Sequence, residues 1–173
     1  MSTIFRRDIS AALAASAIVL ILATATSHVD AATDTATFTV TANIVDACDV
    51  QATNHAFGTY SPGAGTALDA TSTLSVYCTV GTPYALALNV GTGGGTFTAR
   101  KMLSGANELV YNLYTTAARS TVWGDGSGST GTISGTGVGM LTAFTHTVYG
   151  RIGTAQDVQP GSYTSTVTVT LTF

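Results

Sequence analysis

An alternating stretch in front of the first cysteine constrains this chain more than any other feature. Over residues 35–44 the sequence reads TATFTVTANI, so that apolar and polar residues alternate without a break. Successive side chains of a β-strand point to opposite faces, and the pattern therefore predicts a strand with one apolar face. That face consists of Ala36, Phe38, Val40, Ala42 and Ile44. Such a face must be covered, and what covers it decides what the protein does.

Residues 1–31 have the features of an export signal. Arg6 and Arg7 provide a positive start, residues 11–25 are apolar and uncharged, and small or apolar residues lead to Ala31. A membrane anchor is the alternative, but the uncharged run is shorter than the roughly 20 residues that a spanning helix needs. We therefore predict cleavage after Ala31 and a mature chain that is exported through the periplasm and not embedded in a membrane.

The composition after the signal indicates one β-rich domain of about 140 residues. Threonine and valine favour strands, glycine favours turns, and charged residues make up only 9% of the chain. The four cations beyond the signal are scattered, which argues against a nucleic-acid partner. They are Arg100, Lys101, Arg119 and Arg151.

The chain has two cysteines, Cys48 and Cys78. In an exported protein a pair of this kind predicts one disulfide, whereas two free thiols would not persist in an oxidising compartment. His55 and His146 are too far from the cysteines in sequence to match the clustered spacing of a zinc site. We expect no metal and no cofactor.

Strand patterns recur after the cysteine, and no segment has helical periodicity. Turn residues separate them at 61–63, 91–95 and 160–161, and residues 124–139 have the composition of a long loop. This arrangement predicts an all-β, immunoglobulin-like antiparallel β-sandwich. The predicted strands begin at Cys48, and then include Leu74–Cys78, 84–90, a short element at Met102, 109–114, 144–152 and the threonine-rich C-terminal run 163–173.

Catalytic chemistry has no recognisable signature in this sequence. The two histidines after the signal lie outside any nucleophile motif, and no Gly-x-Ser-x-Gly elbow is present. The glycine-rich runs lack the lysine of a phosphate-binding loop. We therefore expect the protein not to be an enzyme and name no catalytic residue.

Four segments together carry a resemblance to a known family. They are the alternating leader with Cys48-Asp49-Val50, Phe57-Gly58-Thr59-Tyr60 followed by Leu74-Ser75-Val76-Tyr77-Cys78, the run from Gly81-Thr82-Pro83-Tyr84 to Trp123-Gly124, and Pro160-Gly161-Ser162-Tyr163 with the C-terminal strand. In this order they resemble the spore coat protein U domain family, which includes subunits of archaic (Csu-type) chaperone–usher pili.

The resemblance implies an incomplete immunoglobulin-like fold, with a signal at 1–31, an N-terminal donor-strand extension at 32–46 and the domain at 47–173. A periplasmic chaperone would fill the gap first. At an outer-membrane usher, the donor strand of an identical or sibling subunit would replace it and extend a pilus on the cell surface, where it would support adhesion and biofilm formation. The donor residues would be Ala36, Phe38, Val40, Ala42 and Ile44. The edge of the acceptor groove would be Val167, Val169, Leu171 and Phe173.

Other interpretations stay open at this level. The same domain could build a spore coat or an extracellular matrix, or act as a carbohydrate-binding adhesive module through Trp123 and Tyr114. A small secreted hydrolase is the least supported of these. The leader could also fold back and complete its own domain, although the tether between Ile44 and Cys48 is only a few residues long.

Overall fold

A computed structural model describes residues 31–173, so that the predicted signal lies outside the described residues except for Ala31. The chain divides into two units, Met1–Thr41 and Ala42–Phe173. In the first unit the described residues form no helix or strand, and their side chains are exposed. The second unit holds all of the described strands.

The second unit contains nine strands and one turn of 3-10 helix at Pro62–Ala64. The strands are β1 (Cys48–Ala52), β2 (Leu68–Cys78), β3 (Pro83–Leu88), β4 (Gly95–Thr96), β5 (Ala99–Ser104), β6 (Asn107–Tyr114), β7 (Ile133–Thr136), β8 (Phe144–Ile152) and β9 (Val169–Thr172).

The strands form two antiparallel sheets. One has six strands in the order β1-β2-β8-β6-β5-β4, and the other has three in the order β7-β3-β9. This arrangement confirms the predicted all-β sandwich. Two strands were missed. The two-residue β4 begins at the end of the glycine stretch 91–95 that was predicted to be a turn, and β7 lies inside the stretch 124–139 that its glycines and serines indicated to be a loop. The regular part of the C-terminal strand is also shorter than its alternating pattern predicts.

A single apolar core joins the two sheets. It takes alternate residues from the central strands, as expected where one face of each sheet is buried. Its buried members are Leu74, Val76 and Cys78 of β2, Tyr84, Leu86 and Leu88 of β3, Leu109, Tyr111 and Leu113 of β6, Val148 and Ile152 of β8, and Trp123.

Trp123 and Arg100 close the core on one side. Both side chains are fully buried. The indole N–H of Trp123 donates to the Leu86 carbonyl at 3.0 Å. The guanidinium of Arg100 donates to the carbonyl of Trp123 at 2.6 Å and to the side-chain oxygen of Asn112 at 2.8 Å. Neutral carbonyl and amide oxygens, rather than a carboxylate, therefore satisfy this buried charge. These contacts connect the loop after β6 to both sheets.

Candidate functional site: an open groove between two sheet edges

The sandwich is open next to the place where an edge strand of one sheet lies beside an edge strand of the other. β1 is an edge strand of the larger sheet and β9 is an edge strand of the smaller one, and the two lie beside each other. Residues 53–60, which follow β1, and residues 158–168, which precede β9, extend away from this point as two walls. Apart from an isolated bridge between Thr164 and Leu103, neither segment forms a strand. A groove therefore runs between them.

Two adjoining cavities form this groove, with volumes of about 690 Å³ and about 380 Å³. They share His55, Phe57, Met102, Tyr163 and Thr164 in their walls, which makes them parts of one continuous groove. The larger cavity extends toward residues 158–162, and the smaller extends toward Val169.

The floor of the groove is the protein core itself. Leu74, Tyr111 and Leu113 line the smaller cavity, and Leu109 and Ile152 line the larger one. The apolar side chains of both walls are only partly buried against this core: Phe57 and Tyr60 on one wall, and Val158, Tyr163, Val167 and Val169 on the other. A folded domain ordinarily covers such residues, so the groove has the character of an unfinished part of the core.

The C-terminal wall presents an alternating face. Residues 163, 165, 167, 169 and 171 are half-buried, while the threonines between them are exposed. This is the pattern of a strand with one face toward the groove, and it extends well before the first residue of β9.

The backbone of this wall is held from one side. Thr168 N–H donates to the Asn89 side chain at 2.8 Å, and Thr166 N–H donates to the Thr92 hydroxyl at 2.9 Å. Thr164 exchanges two backbone hydrogen bonds with Leu103. Because alternate residues of a strand direct their N–H and C=O groups to opposite sides, the backbone groups of residues 163, 165 and 167 face the open edge. An edge of this kind is a template for another strand.

Two polar groups lie in this apolar setting. The Nδ1 atom of His55 is 2.9 Å from the Ser72 hydroxyl, and burial lowers the pKa of His55 below its ordinary value of 6.5. Burial therefore favours the neutral form of this imidazole. The His55 Nε2 atom and the Tyr111 hydroxyl are buried without a hydrogen-bond partner among residues 31–173. Charge is absent from both cavity linings, which suits an apolar occupant.

The disulfide prediction is confirmed at the root of the leader. Cys48 and Cys78 are bonded and are directly paired across β1 and β2. Just before them, the Asp46 carboxylate accepts a hydrogen bond from the Thr82 hydroxyl at 2.7 Å, and Ala47 N–H donates to the Thr79 hydroxyl at 3.3 Å. The chain is therefore anchored to the domain from Asp46 onward.

The predicted donor residues lie before this anchor and outside any strand. The exposed fractions of Phe38, Val40 and Ile44 are 87%, 81% and 83%. Large apolar side chains this exposed are unusual when they follow one another in a regular pattern.

The four residues predicted to form the acceptor edge have different positions. Val167 and Val169 line the smaller cavity, whereas Leu171 and Phe173 line neither cavity. Leu171 pairs with Leu86 of β3, and Phe173 is exposed at the C-terminus. The sequence interpretation overlooked the opposite wall at Phe57 and Tyr60, although the segment Phe57-Gly58-Thr59-Tyr60 carried part of the family resemblance. It also overlooked Tyr163 and Ser165 as wall residues.

Other functional readings find little support in the described residues. Trp123 is buried and its N–H is satisfied, so it is not available for the sugar stacking that the adhesive-module interpretation suggested for it together with Tyr114. His146 Nε2 lies 2.8 Å from the Tyr84 hydroxyl, and burial lowers the pKa of His146. Within residues 31–173 no cluster of three or more potential metal ligands occurs, and no helix there could span a lipid bilayer.

Comparison with known proteins agrees with this fold. The sequence matches the Spore Coat Protein U domain over residues 34–170. The chain belongs to this family. It is 33% identical over 163 residues to Protein U of Myxococcus xanthus, an alignment that covers 85% of this chain and 89% of the relative.

The fold is also similar to a solved structure of the CsuC–CsuE chaperone–tip adhesion subunit pre-assembly complex from the archaic chaperone–usher Csu pili of Acinetobacter baumannii. The TM-score is 0.55 and the sequence identity is 24%. The alignment covers 75% of this chain and 40% of the solved chain, so the similarity concerns one domain's fold.

Proposed function

We propose that this chain is a structural subunit of a surface fibre and that it polymerises by donor-strand exchange. The leader at 32–46 of one copy enters the groove of the next copy and completes its core. The single observation that carries the proposal is the open groove, with core residues for its floor and a free backbone edge along the wall at residues 163–167. The alternating, exposed leader is the complementary element.

The energetics of this exchange favour a lasting contact. Five apolar side chains leave water when the leader is bound, which stabilises the contact by roughly 5–10 kcal/mol at 1.5–3 kcal/mol for each large side chain and less for the alanines. Backbone hydrogen bonds with the open edge add to this. Because the contact joins two different surfaces head to tail, it repeats along a filament instead of closing into a dimer.

The same reasoning identifies the partners. A subunit with an open core needs protection before assembly, so we infer a periplasmic chaperone that occupies the groove and an outer-membrane usher at which exchange takes place. The similarity to a chain of a chaperone–subunit pre-assembly complex supports this inference. The fibre consists of identical or sibling subunits and lies at the cell surface, with adhesion and biofilm formation as its expected roles. The chain is a building unit and not an enzyme.

A coat assembly is the second candidate, and the family description favours it. Strand exchange between copies would build a coat or an extracellular matrix by the same contact. The two candidates differ in whether isolated polymers are long, thin fibres or sheet-like aggregates, which electron microscopy of purified polymer distinguishes.

The leader provides the direct test. We expect a chain that lacks residues 32–44 to fold and to bind its chaperone, but to form no polymer. Phe38→Asp or Val40→Asp should abolish the ladder of boil-sensitive oligomers on a denaturing gel, because a charge would enter the apolar groove. Thr39→Ser lies on the opposite face and serves as the matched control. Normal polymer from the truncated chain would refute the proposal.

A further inference from the structure

The face that the C-terminal wall turns toward the groove is interrupted by one small residue. Its half-buried members are Tyr163, Ser165, Val167, Val169 and Leu171, and Ser165 alone lacks a bulky side chain. The Ser165 hydroxyl accepts a hydrogen bond from Gly93 N–H at 3.2 Å, which holds it toward the connection between β3 and β4. The wall therefore has a notch at Ser165.

Aromatic rings surround this notch. Phe57 of the opposite wall and Tyr111 of the floor are in edge-to-face contact, with ring centroids 6.0 Å apart, and both line the smaller cavity together with Ser165 and Met102. Aromatic pairs favour a third ring in the same geometry, and thioether sulfur also packs well against rings. The notch is thus suited to an aromatic side chain more than to a branched aliphatic one.

The leader contains one aromatic residue, Phe38, between the smaller residues Ala36 and Val40. We propose that Phe38 of one copy occupies the notch at Ser165 of the next, with the leader antiparallel to the C-terminal wall. This inference rests on the proposed strand exchange and adds to it a register and a direction. Phe38 is then the residue that selects the register among the possible two-residue shifts.

The two cavities determine the direction. On its apolar face the leader carries only Ala36 before Phe38, but Val40, Ala42 and Ile44 after it. An antiparallel leader places these three toward residues 158–164, where the cavity of about 690 Å³ lies, and places only Ala36 beside Val167. A parallel leader would direct them past Val167 and Val169 into the narrow end, where β1 lies beside β9. Only the antiparallel direction fills the larger cavity.

The register predicts which threonines face each other. With Phe38 opposite Ser165, an antiparallel leader sets Thr39 opposite Thr164, whereas a parallel leader sets Thr37 opposite Thr164. A slip by two residues that brings Val40 to Ser165 sets Thr41 opposite Thr164. Because the backbone groups of Thr164 bond away from the open edge, its pairing with the leader is of the non-hydrogen-bonded kind, with Cα atoms about 4.5 Å apart. Cysteines at this separation form a disulfide readily.

Cysteine pairs in the full mature chain test the assignment. Three variants carry Thr164→Cys together with Thr39→Cys, Thr37→Cys or Thr41→Cys, and Cys48 and Cys78, already bonded to each other, are the only native cysteines. Assembled polymer is oxidised, boiled in detergent and separated without reductant. We expect a covalent ladder from the 39/164 pair and at most trace ladders from the other two.

Each other outcome has a definite meaning. A ladder from the 37/164 pair overturns the direction, and a ladder from the 41/164 pair overturns the register. Polymer without any cross-link overturns the inference while the proposed function survives. If the unmodified chain forms no polymer with its chaperone and usher, the proposed function itself fails.

The notch has a second test that does not depend on cysteine chemistry. Ser165→Leu fills it, and we expect polymers of this variant to release subunits in denaturant at least tenfold faster than the unmodified polymer. Adding Phe38→Ala should slow this release again, because the smaller leader residue makes room for the leucine. Thr168→Leu, on the exposed face and outside both cavity linings, is the matched control. Equal effects of Leu at 165 and 168, or no restoration by Phe38→Ala, would contradict the assignment.

Discussion

The two sides of this sandwich bury comparable kinds of residues to very different extents. On one side Trp123 and Arg100 are fully buried, and the indole N–H and the guanidinium are both hydrogen-bonded. On the other side Phe57, Tyr60 and Tyr163 are equally large but only half-buried, and the core lies open beneath them. The difference shows that the domain's own chain covers the core on one side and leaves it open on the other.

The largest effect on stability is expected from a substitution on the closed side, which is the side that Trp123 and Arg100 cover. Trp123→Ala should lower the free energy of unfolding by about 3–5 kcal/mol, since it leaves a cavity and removes the partner of the Leu86 carbonyl. This is a large fraction of the 5–15 kcal/mol typical of a domain. Denaturant unfolding of the purified subunit measures it. A loss below 1 kcal/mol would show that this side is not closed.

The open side should respond differently before and after assembly. Phe57→Ala is expected to cost the isolated subunit only about 1–2 kcal/mol, because the ring is already half-exposed. Its effect on polymer should be greater, since Phe57 lines both cavities that the leader would occupy. Subunit unfolding and polymer dissociation in denaturant are measured side by side.

Phe144→Ala is the matched control for this prediction. Phe144 is a partly exposed aromatic residue at the start of β8 and lines neither cavity. It should weaken the isolated subunit to a similar extent without an additional effect on polymer. If both variants affect subunit and polymer equally, the distinction between a closed and an open side does not hold.

The smallest effect on stability is expected from a surface ion pair that lies away from the groove. Arg151 donates to both carboxylate oxygens of Asp69, at 2.7 and 2.8 Å, and this hydrogen bonding lowers the pKa of Asp69 below its ordinary value of 3.8. A depressed pKa means that the pair stabilises the fold at pH values above 3.8, and that the stabilisation is lost as the pH falls through the lower, folded-state pKa.

Asp69→Asn tests the ion pair. The group is partly exposed, so that the loss at pH 7 should be at most about 1 kcal/mol. We expect the difference in melting temperature between the unmodified chain and this variant to be constant from pH 7 to 5 and to shrink at lower pH. A difference that grows on acidification would have the wrong sign for this pair. Polymer dissociation should not change, because Asp69 lines neither cavity.

Some features of the site could be predicted because they depend on local pattern. The alternation at 163–173 indicated a strand with one apolar face, and two cysteines in a chain with an export signal indicated the disulfide. The strand predicted at 35–44 is not formed in the structure, where these residues lie outside any strand. Val167 and Val169 were named from the resemblance to the family, and both line the smaller cavity. The β7 strand was missed because Ile133, Ser134 and Gly135 stand among glycines and serines and give no periodic signal. The strand forms there because these residues pair with β3, which the local sequence does not indicate.

By itself, the sequence determined the face of each strand, since a period of two residues assigns every side chain to one side or the other. It therefore determined that the leader has an apolar face and that the C-terminal strand has another. Only the tertiary structure decided that the wall at Phe57 and Tyr60 stands opposite Tyr163, that Ser165 leaves a notch between them, and that Trp123 is buried. These facts depend on contacts between residues as much as about 100 positions apart, and no local pattern encodes such contacts.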